Sequence, residues 1–502
     1  MKSRIRAALV TGLLSSLTAA GGQSSTPPAP GASTPLLKKV KKEELVARLE
    51  RRVPQLMAGG DVPGLSIALV RGGELAWHRG FGVRHAATKE AVGADTIFEA
   101  ASLSKPVFAY AVLKLVDAGK LDLDAPLNKY LPGNYDVGDD ARLGRITARR
   151  VLSHTTGFPN WRPRGETALK IHFTPGERFS YSGEGFVYLA QAVERLTGEK
   201  FEDFMKRTVF DPLGMTSSSF VWREEYASRK VFNHNAVGAP TGQNKVPKAN
   251  AAASLNTTAR DYGLFLAAVL RGRGLKPATA RLVWSPQVWV GESTNGTNAP
   301  PRQTSREMAW GLGWGVQRTA DGPSIWHWGD NGNSKAYVVA YPAEKAGVVF
   351  FTNSANGLSI ARELIAEAVG GAQPALAWLD YEPYNSPART LLKNIIARGA
   401  AEALRDYREW RKGRAPAELA GEAQVNRVGY NLLALKRVAD AVEVFKLNVE
   451  DYPQSSNTYD SLGEAYMLNG DRELAIKNYQ KSVELNPGNT NGVEALKKLR
   501  GN

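Results

Sequence analysis

The chain contains no cysteine. That excludes disulfides, thiol nucleophiles, thiolate metal ligands and a lipid-anchored cysteine after an export signal. Histidine is scarce, with six in 502 residues. His78, His85, His172 and His234 are scattered without ligand spacing, and no His-Glu-x-x-His occurs, so no metal site is expected. A Gly-x-x-x-x-Gly-Lys phosphate loop is missing, and so is the Gly-x-Ser-x-Gly elbow of α/β-hydrolases. Lys and Arg outnumber Asp and Glu by 64 to 49, for a net charge of +15. These cations are dispersed, without the basic stripe of a nucleic-acid reader, and no nucleic-acid partner is expected.

What is present is an ordinary globular composition, 43% hydrophobic and 23% charged, long enough for two or three domains. Residues 1–22 open with MKSRIR and continue with AALVTGLLSSLTAA, which reads as a cleaved signal peptide. The apolar run is too short and too polar for a stable membrane span. The expected location is therefore periplasmic or secreted. A Pro/Ser/Gly-rich linker over 23–42 leads into a basic helix.

Two β-rich runs joined by Arg71-Gly72-Gly73 predict a hairpin. Residues 97–280 read as mostly helical. Strands return in WGLGWGVQR, IWHWG, KAYVVAYP and GVVFFTN, and the helix SIARELIAEAVGG closes the unit near Gly371. The expected fold is α/β in the α+β sense: one antiparallel sheet from both ends of residues 43–371, covered by helices, beside a helical subdomain. Residues 372–387 read as a linker. In 388–502, Ala441 and Ala475, Phe445 and Tyr479, Pro453 and Pro487, and Gly429 and Gly463 are each separated by 34 positions. That is the period of the tetratricopeptide helix-turn-helix. This tail resembles such repeats, with flanking helices at 391–411 and 492–499 extending or capping the stack.

The chemistry concentrates at Ser102-Leu103-Ser104-Lys105, at the head of an apolar helical pattern. Residues i and i+3 share a helix face, so the Lys105 amine can meet the Ser102 hydroxyl. Burial and the helix dipole both lower a lysine pKa, making it a base for serine. The free N–H groups of the same helix end suit an oxyanion. The bland alternative is a capping serine beside a solvated lysine. Tyr181-Ser182-Gly183 before a second helix and His327-Trp328-Gly329 on a strand shift the balance, in that order along the chain.

With these motifs the chain resembles the serine β-lactamase and penicillin-binding-protein superfamily, nearest its class C β-lactamase, D-aminopeptidase and esterase branch. The resemblance spans roughly 43–371. It implies Ser102 as the acylated nucleophile, Lys105 as its proton partner and Tyr181 as a proton shuttle. His327, Trp328, Gly329 and Asp330 take the substrate-facing strand, with the N–H groups of Ser102 and Asp330 forming the oxyanion hole. No cofactor is implied.

Three departures stand out. Gly183 occupies the place of an amide-holding Asn, Trp328 that of a hydroxyl residue, and His327 that of the β-lactamase Lys. Asp330 adds a carboxylate expected to repel an acidic substrate. His154, in Ser-His-Thr-Thr-Gly, is expected to be structural. The reading is an exported serine hydrolase for an ester, an amide or a cell-wall-type peptide. Its rival is a weak or inactive hydrolase domain serving as a scaffold, with the repeat tail recruiting a protein partner.

Overall fold

The computed structural model describes residues 35–163, 165–291 and 304–501. The expected signal peptide lies outside them. Helix α1 (Lys42–Gly60) buries Leu45, Leu49, Val53 and Leu56 on one stripe. Strands β1 (Gly64–Arg71) and β2 (Glu74–Gly82) follow, joined as expected by a tight turn. Gly72 and Gly73 stand there at φ of 58° and 76°, the positive values that a two-residue hairpin turn requires.

Six more strands complete the sheet: β3 (Val288–Gly291), β4 (Thr304–Trp310), β5 (Gly315–Thr319), β6 (Gly322–Asp330), β7 (Lys335–Tyr341) and β8 (Ala346–Thr352). The order is β2-β1-β8-β7-β6-β5-β4-β3, antiparallel throughout. β1 lies against β8, Leu65 opposite Thr352 and Val70 opposite Gly347, so the two ends of the unit meet inside one sheet. WGLGWGVQR, expected as one strand, splits in two. Gly311 N–H donates to Trp314 O at 2.8 Å and turns the chain between β4 and β5. The edge strand β3 had no sequence signal of its own.

The central strands are apolar along their whole length because both faces are covered. On one face, Ala68, Val70, Val338, Val349 and Phe351 pack against α2 (Ser104–Asp117) and α4 (Ala259–Arg271). On the other, Ile67, Leu69, Tyr337, Val339 and Phe350 pack against α1 and α5 (Ala361–Ala368). Helix α3 (Gly183–Thr197) belongs to the helical subdomain, its N-terminus capped by the Ser182 hydroxyl.

Two expected linkers are part of the packed structure. Leu36, Leu37 and Val40 pack on the α1 side of the sheet. In 372–387, α6 (Pro374–Leu379) buries Ala375, and Trp378 Nε1 donates to Gly291 O at 2.9 Å. Gln373 bridges Gln317 on β5 and the Tyr341 hydroxyl on β7, each at 2.8 Å. The alternation of Pro, Ala and polar residues concealed this. Leu376, Trp378, Leu379, Tyr381 and Tyr384 pack against the apolar cluster on the α1 side of the sheet.

Helices α7 (Pro387–Arg398), α8 (Ala400–Trp410), α9 (Glu422–Ala434), α10 (Val438–Asp451), α11 (Ser456–Asn469), α12 (Arg472–Leu485) and α13 (Thr490–Arg500) form the tail. The positions 34 apart make the same contact twice. Gly429 lies against the Phe445 ring and Gly463 against the Tyr479 ring. The tail also touches the sheet unit: Lys393 Nζ lies 3.3 Å from Asp61 on the α1–β1 connection, and Arg427 pairs with Glu382 at 3.0 Å.

Candidate active site

Ser102 sits in a 3-10 turn, Ala101–Leu103, that runs into α2. Ala101 holds a left-handed φ of 48°. The turn is braced from the stretch before α4. Ala100 N–H donates to Leu255 O at 2.8 Å, Leu255 N–H to the Ser104 hydroxyl at 3.0 Å, and the Tyr262 hydroxyl to Leu103 O at 3.1 Å. Ser102 is therefore held by two segments about 150 positions apart in sequence.

Lys105 is wholly buried. Its Nζ donates to Ser102 Oγ at 3.1 Å and to Ala252 O at 2.9 Å. Among the described residues no carboxylate pairs with it. Aromatic rings surround it: Tyr181 at 4.7 Å, Phe186 at 5.7 Å and Trp161 at 6.0 Å. Desolvation pushes its pKa down to about 7. A buried lysine with one hydroxyl and one carbonyl for company is a base near neutrality, not an ion-pair partner.

Tyr181 is buried, and among the described residues its hydroxyl makes no full hydrogen bond, Ser102 being the hydroxyl that comes near it. Burial raises its pKa, and the nearby Ser102 hydroxyl opposes that rise. A buried hydroxyl short of partners, beside a serine and an amine that titrates near neutrality, has room for a further partner. His154 explains how Tyr181 is placed. Its ring stacks on Tyr181 at 4.3 Å, and its Nδ1 accepts from Ser182 N–H at 3.0 Å. Burial, then Lys105, holds its pKa well below the usual histidine value. The structural role expected of His154 matches this geometry.

Strand β6 faces the turn. Any side chain at Gly329 would collide with Ala100 O, so glycine is what lets the strand approach the nucleophile. Asn331 N–H donates to Ser334 O at 3.1 Å. Alternation in the ladder then bonds Gly329 and His327 to β7 and turns the N–H groups of Trp328 and Asp330 away from it. Pairing with β5 has already ended at Trp326–Gly315. The Asp330 N–H is thus available on the cleft side, and the first N–H groups of a helical turn likewise lack an acceptor.

One expectation for this strand is corrected. Asp330 does not present a free negative charge. Its carboxylate is ion-paired with Lys335, accepts the Gly332 N–H at 2.8 Å, and accepts the Tyr381 hydroxyl at 2.6 Å. His327 stands in the place of the β-lactamase Lys as a neutral imidazole. It is fully buried, its Nδ1 lies 2.8 Å from Trp328 O, and burial followed by Lys105 pushes its pKa down to about 3. Trp328 is half-buried with its ring 4.7 Å from that of Tyr181.

Sequence reasoning missed Tyr381, Lys335 and Trp161. Tyr381 lies in the supposed linker. Lys335 follows an Asn/Gly turn that carried no charge signal. Trp161 is an isolated aromatic in a loop, and its position beside Gly183 is purely tertiary. No cluster of three or more His, Asp or Glu residues suited to a metal occurs among the described residues.

A model of the beta-lactamase family matches residues 49–370, more than half the chain. The chain belongs to the beta-lactamase family. That membership makes it a serine hydrolase of the penicillin-binding-protein type in general terms. A tetratricopeptide-repeat model matches 456–489. Penicillin-binding protein 4 of Amycolatopsis lactamdurans is 28% identical over 363 residues, 67% of this chain and 94% of that one. Penicillin-binding protein 4* of Bacillus subtilis is 28% identical over 193 residues, and the match spans 34% of this chain and 41% of that protein. Among solved structures, the octameric penicillin-binding protein homologue from Pyrococcus abyssi is similar in fold, with a TM-score of 0.54 at 22% identity over 70% of this chain and 82% of that one. D-alanine carboxypeptidase AmpC from Burkholderia cenocepacia gives 0.54 at 19% identity over 65% and 99%. The fold of the family is thereby shared, with a repeat tail added.

Proposed function

We propose that the chain cleaves an ester, or an amide held without a carboxylate grip, through an acyl-enzyme on Ser102. The observation that carries this is Lys105, buried without an ion partner and 3.1 Å from the Ser102 hydroxyl. Neutral Lys105 takes the Ser102 proton as Oγ attacks the carbonyl carbon. The carbonyl oxygen becomes an oxyanion between the N–H groups of Ser102 and Asp330. Lys105, with Tyr181 beside it, returns the proton to the leaving oxygen or nitrogen as that bond breaks. Water then attacks the acyl carbon by the reverse path, releasing the acid and restoring Ser102. Donors fixed before reaction stabilise the oxyanion more than mobile water does.

The preference for esters rests on the wall opposite Ser102. The buried, neutral His327, the indole of Trp328 and the engaged Asp330 carboxylate leave a substrate carboxylate without its usual cationic and hydroxyl partners. Gly183 leaves a substrate amide without its usual side-chain partner. The test compares kcat/KM for p-nitrophenyl butyrate and nitrocefin. We expect the ester to be favoured. A higher value for nitrocefin would return the chain to the β-lactamases proper. The basic and apolar N-terminus supports export, to be checked by N-terminal sequencing of protein from fractionated cells. The repeat tail supports a protein partner.

A further inference from the structure

Two indoles flank the nucleophile, and they differ. Trp328 is packed among Trp326, Trp378 and Tyr181. Trp161 is 43% exposed, and its ring centre lies 6.0 Å from the Lys105 amine that touches Ser102. An added Cβ at Gly183 would meet the Trp161 ring at 2.7 Å and Asn160 O at 2.8 Å. Trp161 therefore lies across the position from which the family's Asn side chain would start.

The loop that presents Trp161 is tied to the head of α3 on both sides. Before it, Asn160 O accepts the Gly183 and Glu184 N–H groups at 3.0 and 3.1 Å, and Asn160 Oδ1 accepts from Gly183 at 3.0 Å. Pro159 O accepts the Ser182 hydroxyl at 2.9 Å. After it, Arg162 Nε donates to Glu184 at 3.1 Å and its Nη1 to Asp136 at 2.7 Å. So many bonds fix the backbone of a loop whose central side chain is left substantially in water. A large indole exposed at the mouth of a cleft and held rigid is a stacking surface rather than a packing residue.

Resting on the hydrolase reading above, we infer that Trp161 is the acyl-side specificity residue and that the substrate carries an aromatic ring one or two bonds from its scissile carbonyl. The ring stacks on the Trp161 indole while the carbonyl carbon sits at Ser102. Apolar stacking replaces the amide hydrogen bond that Gly183 cannot make. A planar ring suits this surface better than a flexible alkyl chain, because it loses little rotamer freedom when it stacks.

The test has two arms. In the first, kcat/KM is measured for p-nitrophenyl phenylacetate and p-nitrophenyl acetate, each divided by its rate with hydroxide. The corrected ratio is expected to favour phenylacetate by about tenfold or more in the full chain. It should collapse toward one in Trp161→Ala and in Trp161→Gln, and be largely kept in Trp161→Phe. The second arm needs no turnover. Saturation-transfer NMR should show the ring protons of phenylacetamide receiving magnetisation from the full chain but not from Trp161→Ala of matching circular dichroism. A ratio near one in the native protein, or a ratio and a transfer signal that survive both Trp161→Ala and Trp161→Gln, overturns the inference. Transfer that depends on Trp161 in a protein that cleaves neither ester would keep the aromatic site and refute the hydrolase reading instead.

Discussion

Beside the half-buried Ser102, Lys105 and Tyr181 are buried and underfilled: the amine has two acceptors, and the tyrosine hydroxyl makes no full hydrogen bond among the described residues. Across the cleft, on β6, the Asp330 carboxylate is saturated, while the His327 Nε2, Trp326 Nε1 and Ser324 hydroxyl are buried without a partner among the described residues. Asp330 has three partners, His327 is closed onto its own strand, and Trp328 is packed into an aromatic stack. A group left short of partners can exchange a proton, and a group with a full set can only hold position. The first region, whose Lys105 amine has its pKa brought down to about 7, is thus suited to proton exchange, and the second, whose His327 ring is unpaired at Nε2 and kept neutral by burial, to shape. The residues of the proposed proton path stand together, while Lys335 and Tyr381 occupy the Asp330 carboxylate across from them.

The largest test of this contrast removes the support behind the second region. A chain ending at Gly371 loses Ala375, Trp378 and Tyr381, which cover Trp326, Trp328 and Asp330. We expect it to be insoluble or inactive. A chain ending at Ser386 should retain soluble, labelled protein. Equal behaviour of the two would show that α6 and Tyr381 are dispensable.

Next in size are the proton-path variants. Lys105→Ala and Tyr181→Phe should each lower kcat by about 10²–10⁴-fold, the usual contribution of positioned proton transfer. In the native enzyme kcat/KM should rise with pH through about 7, because the base form of Lys105 accumulates above its lowered pKa. The inflection should vanish in Lys105→Ala. A pH profile flat between 6 and 9 in the native protein would show that Lys105 is not the titrating base.

Smaller again is Tyr381→Phe. It removes a hydrogen bond to a carboxylate, a loss of about 1.5–3 kcal/mol of stability by the usual value for such bonds. Thermal unfolding should move downward while Ser102 can still be acylated. Complete loss of acylation in folded protein would place Tyr381 in the chemistry. The smallest kinetic effect is expected for His154→Gln, with folded protein keeping kcat within about tenfold, below the range for a lost proton-transfer group. A greater loss would mean that His154 carries a proton after all.

The sheet, the hairpin, the closing helix and the repeats were legible in the sequence because each rests on local periodicity. Ser102 and Lys105 were legible because residues three apart share a helix face, and Tyr181 only because its motif resembles the family's second one. The split at Gly311 was not, since a Trp/Gly-rich run is apolar on both sides of the turn. Residues 372–387 looked like a linker because their apolar side chains pack on a distant sheet edge instead of on each other. The engagement of Asp330 was invisible for the same reason. Its partners, Lys335 and Tyr381, are chemically unremarkable until the fold places them beside it.

The central claim, that Ser102 is the nucleophile and Lys105 its base, is tested most directly by mass spectrometry of the full chain after reaction with a fluorophosphonate. We expect a single adduct that maps to Ser102, forms faster as pH rises through about 7, and is absent from Ser102→Ala. An adduct on any other residue, or none at any pH from 6 to 9, would contradict it.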